Sequence, residues 1–211
     1  MQSDFFFYVC SQKNQKGTMN DKFLIISALI IICFFSCRKN DRREEASRIV
    51  REWTGKEIKF PENVSCFVLG KDTLTEVCKE CYQKDLKILL YIDSTGCSSC
   101  RLQLFEWKQL IEETDSLFQG SVGFLLFFQP KNVKDVIPLF VRDRFKYPIN
   151  MDLNGMIDRF NQFPEKMQYQ CFLLDKDNRV LAIGNPVTNP AVWKLYKKII
   201  TERNLNLQSF N

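Results

Sequence analysis

Nine cysteines and no histidine decide which chemistry this chain of 211 residues can carry. Without histidine the commonest general base is gone, together with Ser/His and Cys/His nucleophile pairs and every metal site that needs imidazole. The cysteines offer thiol chemistry, and Cys97-Ser98-Ser99-Cys100 is where their spacing is most telling. It follows an apolar β-type run, Lys87-Ile88-Leu89-Leu90-Tyr91-Ile92-Asp93, closed by the turn residues Ser94-Thr95-Gly96. It precedes a helical pattern in which Cys100, Leu104, Trp107 and Ile111 share one stripe. A CxxC between a buried strand and a helix puts its first thiol at a helix N-terminus, where unpaired N–H groups favour the thiolate. A thiolate with a second thiol one turn away is the minimal apparatus of thiol–disulfide exchange. Cys97 is the candidate attacking thiol, Cys100 the candidate resolving thiol, and Asp93 an auxiliary proton acceptor at the strand end or a solvated turn carboxylate.

A second motif, Cys78-Lys79-Glu80-Cys81, completes a C-x2-C-x15-C-x2-C pattern. By spacing this approaches a zinc ribbon, and four thiolates would make a closed tetrahedral site. The setting of Cys97 and Cys100 argues against zinc, so no metal is assigned. Cys78 and Cys81 read instead as a local disulfide or as two surface thiols in a polar loop. Cys66 and Cys171 read as small buried hydrophobes. Trp53, Trp107 and Trp193 read as core or half-buried helix residues, and Phe124–Phe128 as a central strand.

Positioning these residues requires an alternation of strands and helices. The periodicity predicts a helix ending at Gly55, short strands over Lys56–Phe60 and Ser65–Leu69, and a strand over 86–93. A helix over 98–113, a strand over 122–128 and a helix over 135–145 follow, with Pro138 in a first turn. A short strand (148–151), a helix (154–161), a hairpin (169–175 with 179–185) and a last helix (190–203) complete the order. Asn189 is a fitting N-cap for that helix and Pro190 suits its first position.

Upstream, Phe23 to Phe35 is an apolar run of signal-peptide length, too short to span comfortably a bilayer that needs about 20 residues. It ends in Ser36-Cys37, which resembles the lipobox of bacterial lipoproteins, most closely the loose form of Bacteroidetes. That resemblance implies export, lipidation at Cys37 and a place in the cell envelope, on the periplasmic face of the outer membrane. Residues 1–36 are then expected to be a leader whose translation begins at Met19, with 37–47 a linker beside the anchor. The leader carries three basic and two acidic residues, so its removal takes the net charge from +5 to +4. So small a surplus does not suggest nucleic-acid binding.

The order of elements, with KILLYIDSTGCSSC, YPINMDLNGMIDRF and CFLLDKDNRVLAIGNP, resembles the thioredoxin-like superfamily in its TlpA-like and AhpC/TSA-like branch. The resemblance covers about 48–203, within a domain expected over 48–205 that leaves 206–211 as a tail. It implies an α/β fold with a central mixed sheet flanked by helices, a short N-terminal extension of a helix and two strands, and no cofactor. It also implies a thiol–disulfide oxidoreductase, or a thiol-dependent antioxidant, acting on exported protein or small-molecule thiols and disulfides through Cys97 and Cys100. The alternative is a binding or scaffold module on the same fold with a static Cys97–Cys100 disulfide. Three positions depart from the family. Gly96 replaces a tryptophan, Tyr91 replaces a buried acid, and Tyr169 stands where the family has a cis-proline. A cis bond before a non-proline residue costs about 2.5–4 kcal/mol, so a trans peptide and a reshaped partner groove are expected at Tyr169.

Overall fold

Two heptads of almost unbroken apolar residues, Leu86–Ile92 and Val122–Phe128, set the architecture. Strands without alternation belong in a sheet covered on both faces, and every residue of both is buried. The computed structural model describes residues 41–62, 64–70, 76–93 and 102–208, and of these not the side chains of 76–78 and 206–208. The chain divides into two compact units, Met1–Arg48 and Ile49–Asn211. Helix α1 covers residues 41–53: 41–48 are the described part of the first unit, and Ile49 and Trp53 are buried in the second.

The second unit holds β1 (Ser65–Phe67), α2 (Glu76–Gln83), β2 (Leu86–Ile92), α3 (Leu104–Phe118) and β3 (Val122–Phe128). It continues with α4 (Val133–Arg142), β4 (Ile149–Met151), α5 (Met156–Asn161), β5 (Cys171–Leu174), β6 (Val180–Ile183) and α6 (Pro190–Gln208). The strands form one mixed sheet of order β1-β4-β3-β2-β5-β6. The β2–β3 and β3–β4 pairs are parallel, and β1–β4, β2–β5 and β5–β6 are antiparallel. Side chains alternate across it. Ile88, Leu90 and Ile92 join Trp107, Ile111, Tyr196 and Ile200 in one core, whereas Leu89 and Tyr91 join Trp53, Phe163 and Phe172 in the other.

Most expected elements form, with instructive differences. Asn189 caps α6 by accepting the Ala191 N–H (3.0 Å), and the helix runs five residues beyond its expected end. The hairpin turn closes on Asp175, whose Oδ1 accepts the N–H groups of Asp177 and Arg179, both at 2.9 Å. Lys56–Phe60 is not a strand. Only an isolated bridge, Glu57 to Arg179, links it to the hairpin. Pro138 lies inside α4 rather than in its first turn, because the Asn132 side chain starts that helix two residues earlier by accepting the Lys134 N–H. Cys78 and Cys81 sit on a helix, α2, and not in a loop. Among the described residues no helix is long and apolar enough to cross a membrane; the Phe23–Phe35 run and Cys37 lie outside them.

Candidate redox site

The central strand β2 ends at Ile92, and half-buried Asp93 follows. Cys97 and Cys100 lie outside the described residues. The description resumes at Leu102, 2% exposed, and at Gln103, whose left-handed backbone (φ 42°) precedes α3. Leu104, Trp107 and Ile111 form the buried stripe that the sequence predicts. The two described residues nearest the motif are therefore Asp93, at the C-terminal end of the central strand, and Leu102, in the core.

Loops from the two neighbouring strands frame that end. On one side Gln129, just past β3, donates its N–H to Ile92 O (2.9 Å) and accepts the Tyr91 hydroxyl on Oε1 (2.8 Å). On the other, Gln170, just before β5, accepts the Tyr91 N–H (2.9 Å). The Gln170 side chain donates to Pro164 O (3.0 Å), and its own Oε1 is buried without a hydrogen-bond donor, as is Oε1 of Gln103. Buried acceptors are rarely left so. Tyr169 closes a 3-10 turn, Met167–Tyr169, and packs half-buried against the core that contains Trp53 and Phe163. Among the described residues no peptide is cis, so the bond before Tyr169 is trans, as expected.

The YPINMDLNGMIDRF segment turns out to be structural. Buried Asp152 accepts the N–H groups of Met156 (2.9 Å) and Ile157 (2.8 Å), which fixes the start of α5. Gly155 (φ 62°) follows, and a Cβ there would stand 2.6 Å from the Gln129 amide nitrogen. Motif and site thus touch through Gln129. Neither Gln129 nor Gln170 stands out in the sequence. The available signal was Tyr91 itself, since a buried phenol in an apolar strand needs a partner for its hydroxyl.

The other cysteines sort clearly. Cys171 is a buried free thiol in β5, in keeping with its reading as a small hydrophobe. Cys66 is not: it is half-buried and disulfide-bonded. Cys81 is a half-buried free thiol, so no Cys78–Cys81 disulfide exists here. Burial pushes the Cys81 thiol up, against a smaller opposing effect of a backbone hydrogen bond at Phe124. Among the described residues no group of three or more Cys, Asp or Glu side chains could hold a metal ion.

No protein-family model and no curated protein matches the chain. Solved structures do. A Chlorobium tepidum protein described as a candidate thiol:disulfide interchange protein DsbE superposes with a TM-score of 0.50 at 14% identity, covering 70% of this chain and 97% of that one. A cysteine-to-serine mutant of Xylella fastidiosa PrxQ gives 0.47 at 13% identity, over 73% and 96% of the two chains. The thioredoxin domain of a Bacteroides vulgatus thiol-disulfide oxidoreductase gives 0.47 at 12%, over 68% and 97%. The mixed sheet flanked by helices is the thioredoxin-like α/β fold.

Proposed function

We propose that the chain is an exported, lipid-anchored thiol–disulfide oxidoreductase whose working pair is Cys97 and Cys100. One observation supports the reading: the elements on either side of the two cysteines in the sequence are the C-terminal end of a buried central strand, flanked by the loops before β5 and after β3, and the start of α3. In the reducing direction the Cys97 thiolate attacks one sulfur of a partner disulfide. A mixed disulfide forms, and the partner's second sulfur leaves as a thiolate that takes up a proton. Cys100 then attacks Cys97, which releases the partner dithiol and leaves Cys97–Cys100 oxidised, two electrons having passed to the partner. The same steps reversed oxidise a partner. Tyr169, with its trans peptide, narrows the range of partners by altering the groove beside the motif. The anchor is lipidated Cys37, which holds the domain on the periplasmic face of the outer membrane.

Thiol trapping on membrane fractions tests both parts. After reduction, iodoacetamide at neutral pH should modify Cys97 several-fold faster than Cys100, and Cys100→Ser should accumulate mixed disulfides with envelope proteins. Cys37→Ala should shift the protein to the soluble fraction or leave an unprocessed precursor. Equal and slow labelling of both thiols would assign the pair to a static disulfide in a binding module. A mutant at Cys37 that fractionates like wild type would remove the anchor.

A further inference from the structure

Cys66 is bonded to another cysteine, and the fold points to which. We propose a disulfide between Cys66 and Cys78 that ties the edge strand β1 to helix α2. Cys81 and Cys171 are free thiols, so neither is the partner. Cys66 stands opposite Asn150 in the antiparallel β1–β4 pair, and residues directly opposite project to the same face of a sheet. Asn150 accepts the Tyr82 hydroxyl from α2 (3.2 Å), so that face is the one α2 covers. Cys78 precedes Tyr82 by four residues, which places it on the same stripe of α2, one turn towards the helix N-terminus.

Cys97 and Cys100 lie outside the described residues and follow β2, which lies three strand spacings from β1, roughly 14 Å at 4.8 Å each, whereas α2 covers the face of Cys66 itself. A disulfide needs Cα atoms within about 7 Å. Forming the bond joins the two Sγ atoms, releases two protons and passes two electrons to an oxidant of the disulfide class, which becomes a dithiol.

The pairing splits the second CxxC, leaving Cys81 as a thiol three residues from the bond. Cys81 is a poor attacker, because its side chain is turned towards β3 and its burial holds the proton on. The staple therefore stays in place while Cys97 and Cys100 exchange, and the four-cysteine metal cluster cannot assemble with it. This pairing does not rest on the proposed oxidoreductase activity.

Peptide mapping of the full chain, alkylated with N-ethylmaleimide and digested without reductant, tests it. Cleavage after Lys71 separates the two cysteines, so a cross-linked peptide pair containing Cys66 and Cys78 is expected, with Cys81 alkylated. In Cys78→Ser, Cys66 should become a thiol alkylated in full. Cys66 joined to Cys97, Cys100 or any of Cys10, Cys33 and Cys37 would overturn the proposal, as would an alkylated Cys66 in the unreduced wild type. The wild-type map decides the matter even if Cys78→Ser fails to fold.

Discussion

At the scale of single residues, the polar wiring beneath the candidate site rests on a glycine. Tyr91 is 1% exposed, and its hydroxyl donates to Gln129. Gln129 in turn lies against Gly155, whose φ of 62° disfavours a side chain even without the amide in the way. Gly155→Ala should cost about 1–2 kcal/mol, from left-handed strain and displacement of the Gln129 amide. Tyr91→Phe alone should cost about 1 kcal/mol, since it strands the Gln129 acceptor. Urea unfolding of both single mutants and the double mutant separates the effects. With Gln129 already displaced, Tyr91→Phe should cost less in the Gly155→Ala background, and strict additivity would show that the two positions are not linked through Gln129. Part of this was legible. Tyr91 declared itself as a phenol inside an apolar strand, and Gly155 by its Asp-Leu-Asn-Gly setting. Gln129 gave no signal, because one glutamine after an apolar strand does not reveal which hydroxyl reaches it across the sheet.

Among elements, the strands and the long helices were readable because each carries a full period of apolar residues, as in β2, β3 and the Leu104–Trp107–Ile111 stripe of α3. Helix α2 was not. Two turns of Glu76-Val77-Cys78-Lys79-Glu80-Cys81-Tyr82-Gln83 are marginal alone, and such a segment becomes helical through what it packs on. The clue lay in another element: Gly123 interrupts an otherwise apolar β3, and a glycine within a strand often marks the close approach of another backbone. Here a Cβ on Gly123 would run into the carbonyl oxygen of Cys81. Gly123→Ala should therefore lift α2 from the sheet at a cost of about 1–3 kcal/mol, as overpacking of a filled interior does. Cys81 reports the movement. Its alkylation at pH 8 should accelerate several-fold in the mutant, and an unchanged rate together with unchanged stability would mean that α2 does not depend on this seat.

Across the whole molecule, the stability of the fold should depend on pH chiefly on the alkaline side. Burial pushes the Cys81 and Cys171 thiols above their ordinary value of 9.0, and the Tyr82, Tyr147 and Tyr196 phenols above 10.0. The native state thus keeps protons that the unfolded chain gives up. The stabilisation is complete below pH 9, is lost first through the thiols as pH rises past 9, and then through the phenols past 10. Lys87 works the other way. Burial in β2 lowers its value from 10.5, partly offset by Asp175, Asp177 and Asp85, so the native state sheds this proton first and gains stability as pH rises towards 10.5. Among the described residues one lysine stands against two thiols and three phenols, which leaves a net loss on the order of 1 kcal/mol per pH unit above pH 9. Thermal unfolding at pH 7, 8.5 and 10 should show little change over the first interval and a clear fall over the second. Cys171→Ala removes the most deeply buried of these thiols and should make that fall shallower. A melting temperature that holds or rises to pH 10 would mean that Lys87 outweighs the thiols.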